Sequence, residues 1–228
     1  MRSLVEKEGN SMDPEAPSLA PFSEAFRQEL LRLFRLRRDV RRFRRDPLPE
    51  AEVMDLLAAA HTAPSVGLSQ PWRFVRVRSE AARAAVIASF ERSNAAASAA
   101  YDDERSRLYR SLKLAGLREA PEHLLVCCQT DTTQGHGLGR ATLPGTLRDS
   151  VICAIQNLWL AARARGLAIG WVSILNPEDL RQPLNLPEPW QWVAYLCLGY
   201  PERDQDHPEL ESAGWEQRRP VSEVVFTR

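Results

Sequence analysis

The stretch VICAIQNLWLAARARGLAIGWVSIL, residues 151–175, places a helix and a strand in immediate succession. Val151, Ile155, Leu158 and Ala162 recur at helical spacing and mark an inner face. Gly166 then stands where a C′ glycine ends a helix. Residues 167–175 read as a strand. The helix is apolar on too many sides for a surface helix, so it is either a central core helix or part of a dimer interface.

Further strands are predicted at 72–78, 124–128 and 192–198. Ser23 caps a predicted helix running through Arg37, with Phe26, Leu30, Leu33 and Phe34 on one face. After a turn at Pro47-Leu48-Pro49, a second helix turns Val53, Leu56, Leu57 and Ala60 inward. Residues 80–118 read as helical, alanine-rich over 93–100 and charged and amphipathic over 101–116. Residues 130–146 form a loop rich in Gly and Thr. Asn176-Pro177 opens a short helix, a cap followed by proline at the first helical position. The tail ends in Val221, Val224, Val225 and Phe226, far from any predicted core element, so a partner subunit could bury it. Helices and strands interleave without repeats, which gives an α+β layer fold with a central sheet covered by helices.

At 228 residues the chain suits one domain, or one and a half at about 150 residues each. Residues 1–21, with Pro14, Pro17 and Pro21 among polar residues, read as a flexible N-terminal arm. Residues 22–228 read as a single domain. Lys+Arg and Asp+Glu are both 30, which argues against a dedicated nucleic-acid or membrane-surface protein. No apolar run approaches the ~20 residues that span a bilayer. Residues 1–10 carry no apolar stretch, so they are not read as a secretory signal. Cys127, Cys128, Cys153 and Cys197 lie in apolar runs without ligand spacing and read as small hydrophobes in a reducing, cytoplasmic setting. His61, His123, His136 and His207 have no metal-ligand spacing either, and no metal is expected.

Two motif readings are set aside. Gly135-His136-Gly137-Leu138-Gly139 falls short of a dinucleotide loop and does not open a helix. Gly67-Leu68-Ser69-Gln70-Pro71 lacks the last glycine of a nucleophile elbow. The informative segment is Arg37-Arg38-Asp39-Val40-Arg41-Arg42-Phe43-Arg44-Arg45, with six arginines in nine residues. It reads either as a basic surface turn or as an anion site at a helix end, where planar guanidinium groups grip phosphate in pairs of bonds.

That segment, followed by Ala63-Pro64-Ser65-Val66-Gly67-Leu68-Ser69-Gln70-Pro71-Trp72, resembles the flavin nitroreductase superfamily. The family opens with Arg-Arg-Ser-x-Arg-x-Phe on the flavin phosphate and continues with Pro-Ser-x-x-x-x-Gln-Pro-Trp beside the ring. Asp39 stands where serine is usual. That replacement resembles one branch, whose members fragment reduced FMN with oxygen to the benzimidazole lower ligand of cobalamin. Tyr109–Leu114, 154–163, 170–174 and the tail with Trp215 and Arg218 resemble it too. The resemblance covers residues 30–226.

It implies a three-layer nitroreductase-like fold with a central mixed, mainly antiparallel sheet flanked by helices. It further implies a homodimer with an exchanged C-terminal tail, residues 201–228, and FMN at the subunit interface. Arg37, Arg38, Asp39, Val40 and Arg41 would hold the phosphate and ribityl end, with Arg218 a further phosphate ligand. Pro64, Ser65 and Gln70 would line the ring, from the same or the other subunit. Trp171, Val172, Ser173 and Ile174 would pass its far edge. Residues 91–113 would form a lid, or equally an ordinary surface helix pair. Asp39 and Ser173 would be the catalytic pair. Molecular oxygen would be co-substrate, and erythrose 4-phosphate the second product. NAD(P)H would enter indirectly, through a separate flavin reductase.

Four neighbouring arginines favour an ionised Asp39, suited to act as a base or to accept from a ribityl hydroxyl. Burial would push the other way. Ser173 reads either as a ring-side hydrogen-bond group or as a buried strand serine bonded to backbone. Two other activities stay open. One is an NAD(P)H-dependent FMN nitroreductase, against which Asp39 argues. The other is a non-catalytic FMN-binding protein.

Overall fold

The computed structural model describes residues 20–228, so all but the last two residues of the expected N-terminal arm lie outside it. The described chain holds seven α-helices and four strands. Helix α1 (Glu24–Leu36) starts where Ser23 Oγ accepts from the Phe26 amide at 3.2 Å. Helix α2 (Glu50–His61) leads through a short 3-10 turn at Val66–Leu68 into strand β1 (Trp72–Arg76). Then come α3 (Glu80–Ala99), α4 (Asp103–Ser111), β2 (Glu122–Gln129) and α5 (Thr146–Ala164). The chain closes with β3 (Ala168–Val172), α6 (Pro177–Leu180), β4 (Trp190–Gly199) and α7 (Glu209–Ser212).

The strands form one sheet in the order β1-β2-β4-β3, with every neighbouring pair antiparallel. Among the described residues, parallel pairing is confined to a single bridge between Asp39 and Ile169. Side chains alternate along β2 and β4 as the pleat requires. Leu124, Val126, Leu196 and Leu198 face α2 and α5. Leu125, Cys127, Tyr195 and Cys197 face α3, α6 and the segment holding Val40 and Phe43. The result is three layers with the sheet in the middle. Helix α5 is the core helix of one outer layer: Val151, Ala154, Ile155, Leu158 and Ala162 are almost fully buried. Gly166, at φ +74°, ends it with its amide on the Arg163 carbonyl.

The structure corrects three expectations. The helical reading of 80–118 ends at Ser111 and is broken after Ala99, because Asp102 caps a new helix by accepting from the Arg105 amide. Residues 112–120 run irregularly under Phe43, where a Cβ on Gly116 would sit 2.5 Å from the ring. The strand at 167–175 stops at Val172, because the chain turns toward Asn176, whose amide donates to Ser89 Oγ. Cys153 is exposed on the outer side of α5, unlike the other three cysteines. The stripe Phe26, Leu30 and Phe34 on α1 is exposed in the single chain, as are Val221, Val224, Val225 and Phe226 of the tail.

His123 sits fully buried in β2, its Nδ1 2.9 Å from the Tyr195 hydroxyl. Burial, and then the charge of Arg83, lowers its pKa to about 4. An unfolded histidine titrates near 6.5, so between about 4 and about 6.5 the unfolded chain binds a proton that the folded chain refuses. The stabilisation is complete above about pH 6.5 and lost as pH falls toward about 4, roughly 3 kcal/mol in all. Urea unfolding at stepped pH should show this slope, and His123→Gln should flatten it.

Candidate functional site

The chain leaving α1 is laid against β3. The Val40 amide donates to the Ile169 carbonyl at 3.0 Å, and Asp39 Oδ1 accepts from the Trp171 amide at 2.7 Å. This close approach needs a glycine: a Cβ on Gly170 would lie 2.1 Å from the Val40 carbonyl oxygen. From α5, Trp159 holds the same segment, its indole N–H donating to the Arg38 carbonyl at 3.1 Å and its ring carrying Arg37 at 4.9 Å. Asp39 Oδ2 accepts from Arg41 at 3.0 Å.

These contacts open a cleft of about 180 Å³ lined by Arg37, Arg38, Asp39 and Arg41, and by Pro208, Glu209, Leu210 and Arg218 from the tail. Arg41 pairs with Asp39, Arg218 lies 3.7 Å from Glu211, and the terminal nitrogens of Arg38 donate to the Arg37 and Asp206 carbonyls. Burial, then the charges of Arg218 and Arg37, lowers the pKa of Arg38. Its Nε is buried without a hydrogen-bond partner. Glu209, the acidic group of the tail wall, lies 4.0 Å from Arg42. Like charges crowded round an orphaned donor suit an anion such as phosphate. Asp39 reverses the expectation from its neighbours. Burial raises its pKa above the ordinary value, against the pull of Arg41, the Trp171 amide and Arg37. Local charge was legible in the sequence; depth was not.

Of the expected site residues, Arg37, Arg38, Asp39, Arg41 and Arg218 share the cleft, Trp171 touches Asp39, and Val40 is packed in the core beneath them. Val172 is buried at the end of β3. Ser173 is exposed beyond it, which overturns the buried-strand reading. Ile174 follows, half-buried. Pro64, Ser65 and Gln70 do not line this cleft. They form a second group, in which Ser65 Oγ accepts from the Gln70 amide at 3.1 Å. Among the described residues no group of three or more His, Cys, Asp or Glu could hold a metal ion.

Sequence reading assigned no role to Trp159 or Gly170, which hold Asp39 in place. It also left the tail's second contact unread. Trp215 packs on Tyr101 and Tyr109, with centroids at 5.5 and 6.1 Å. Arg105 of α4 stacks on its ring at 5.0 Å and donates to its carbonyl at 3.1 Å. One short segment thus touches both α4 and the arginine cleft.

The nitroreductase family profile matches residues 35–200. A curated relative from Rhodospirillum rubrum, named 5,6-dimethylbenzimidazole synthase, is 56% identical over 199 residues, 87% of this chain and 94% of that one. One of the same name from Rhodobacter capsulatus is 47% identical over 200 residues, 88% of this chain and 97% of the relative. Among solved structures, iodotyrosine deiodinase bound to FMN and 3-iodo-L-tyrosine superposes with a TM-score of 0.68 at 24% identity, covering 87% of this chain and 97% of that one. That last likeness concerns the fold alone.

Proposed function

The chain belongs to the nitroreductase family, and from that premise we propose that it carries out the reaction its curated relatives are named for. Reduced FMN is fragmented with molecular oxygen to 5,6-dimethylbenzimidazole, and erythrose 4-phosphate leaves from the ribityl chain. The observation that carries this reading is Asp39 itself, a carboxylate fixed by the Trp171 amide and Arg41 inside a cleft of arginines. The orphaned Arg38 Nε and the mutual repulsion of Arg38, Arg37 and Arg218 fit the flavin phosphate.

In this reading Arg37, Arg38, Arg41 and Arg218 hold the phosphate, and Pro64, Ser65 and Gln70 line the ring. Trp171, Val172, Ser173 and Ile174 run along its far edge. Bound FMN supplies both the electrons for oxygen and the carbon skeleton of the product. Asp39 takes the proton from a ribityl hydroxyl and holds it beside Arg41. Ser173, free of the strand, hydrogen-bonds at the ring. Helix α4 and its flanks, within 91–113, cover the site and exclude water.

The cleft and the 64–70 segment are separate in one chain. The exposed stripe of α1, the groove of about 740 Å³ beside it and the exposed apolar tail are unpartnered surfaces. Residues 201–218 pack on their own chain, so the exchange expected of 201–228 narrows to the exposed end at 221–226. The unpartnered surfaces support a homodimer in which that end crosses over and a second copy brings its 64–70 segment to the arginine cleft. Among the described residues no helix is long and apolar enough to cross a membrane. A cytoplasmic enzyme fed by a separate NAD(P)H-dependent flavin reductase fits this reading.

The test is direct. Purified protein is mixed with chemically reduced FMN, air is admitted, and products are separated by liquid chromatography with mass detection. Dimethylbenzimidazole above the protein-free control is expected. Reoxidised FMN without the fragment would overturn the reading, and NAD(P)H oxidation with a nitroaromatic would then distinguish an ordinary nitroreductase from a flavin carrier.

A further inference from the structure

The loop 130–145, whose glycines miss the dinucleotide pattern, is packed onto the 64–70 segment. That segment is contorted: Gly67, Leu68 and Gln70 have φ of +56°, +56° and +42°. Two of these are not glycine, and such residues keep a left-handed backbone only where their surroundings hold them. Inside the segment, the Ser65 carbonyl accepts from the Leu68 amide at 3.1 Å. From outside, Gln134 Nε2 donates to the Leu68 carbonyl at 2.9 Å and to Gln70 Oε1 at 2.9 Å. The backbones meet closely enough to explain the glycines. A Cβ on Gly135 would lie 2.3 Å from the Gly67 oxygen, and one on Gly67 would lie 2.8 Å from the Leu138 oxygen.

The two Gln134 contacts set the orientation of both amides. The Leu68 carbonyl only accepts, so Gln134 must turn its nitrogen toward it. The second hydrogen of that nitrogen then needs an acceptor, and Gln70 must answer with its oxygen. The Gln70 nitrogen is left facing His61 Nε2 at 3.4 Å. His61 Nδ1 already accepts from the Trp72 indole at 3.0 Å, so Nε2 carries the ring proton and cannot accept. The Gln70 N–H₂ group is therefore left without an acceptor among the described residues.

We propose that Gln134 is a positioning residue that fixes the Gln70 amide with its N–H₂ group outward, so that the segment offers hydrogen-bond donors to the flavin ring. The proposal rests on reading 64–70 as the ring-side segment. Reduced flavin is the more electron-rich form, and a donor bonds more strongly to a charged acceptor than to a neutral one. Gln134 thereby favours binding of the reduced form.

The variants are Gln134→Ala, which removes both donors, and Gln134→Glu, which keeps the volume but sets oxygens against two oxygens. The side chain is exposed, so both should fold. Without flavin, the Leu68, Ser69 and Gln70 amides of the full chain should exchange hydrogen about tenfold faster in both variants. With flavin, the dissociation constant for reduced FMN should rise about tenfold more than that for oxidised FMN, and more in Gln134→Glu than in Gln134→Ala. Unchanged exchange would overturn the clamp. A Gln134→Glu protein that binds like wild type would reduce Gln134 to a space-filler, and equal weakening of both redox forms would remove the donor role. If wild type binds FMN but makes no dimethylbenzimidazole, the functional reading fails, while the exchange and binding results still decide the clamp.

Discussion

Asp39→Asn is expected to bind FMN within about threefold of wild type yet to form dimethylbenzimidazole at least ~100-fold more slowly, the low end of what a positioned acid or base contributes. The substitution is close to isosteric. Asparagine keeps an oxygen for the Trp171 amide, so the segment stays on β3. It loses the carboxylate that pairs with Arg41 and can take a proton. Arg37, Arg38 and Arg218 keep their contacts and Arg41 keeps its charge, losing only the Asp39 carboxylate, so binding and chemistry should separate. The wild-type pH profile provides an independent check. Burial raises the pKa of Asp39, so a rate that needs its carboxylate should rise with pH along a limb whose midpoint lies above the ordinary aspartate value of about 3.9. That limb should vanish in the variant. Product formation near the wild-type rate would leave Asp39 a structural acceptor only. Quenching of flavin fluorescence gives the affinity, and chromatography gives the rate.

Gly170→Ala should have the largest structural effect. The added carbon would lie 2.1 Å from the Val40 carbonyl oxygen, and both partners are backbone. No rotamer change relieves that clash, so the Asp39 segment must lift from β3. The bond from the Val40 amide to Ile169 and the bond from the Trp171 amide to Asp39 are then lost together. A cost of about 3 kcal/mol or more follows, a fall in melting temperature of roughly 6–12 °C, with product formation abolished. Gly145→Ala is the control. Nothing lies within 4 Å of its added carbon, and stability should stay within about 1 kcal/mol of wild type. If the Gly170 variant melts with wild type, the close approach does not position Asp39.

The parts of this molecule that were legible in its sequence are those written in local order. Helix α5 with its terminal Gly166 follows from apolar spacing. The arginine segment is contiguous, so its cleft residues stand together in the sequence as they do in the fold. Arg218 was found through the resemblance, since nothing local marks an exposed arginine in a tail. What could not be read depends on contacts distant in the chain. The charge balance of Asp39 was visible, but the burial that outweighs it comes from β3. Gln134 meets Gln70 across 64 residues, and neither loop has a period to announce the meeting. Ser173 was placed in a strand because apolar residues surround it; the strand ends one residue earlier.

The tail segment from Pro208 to Arg218 gives one wall of the arginine cleft and, through Trp215, a seat for α4. A nonsense codon anywhere just after residue 206 would therefore be expected to cause two deficits from one lesion. The cleft would lose Arg218 and its tail wall together with the aromatic seat of α4. A stop between Trp215 and Arg218 would remove the arginine alone, whereas the seat for α4 cannot be lost by truncation without Arg218 going too.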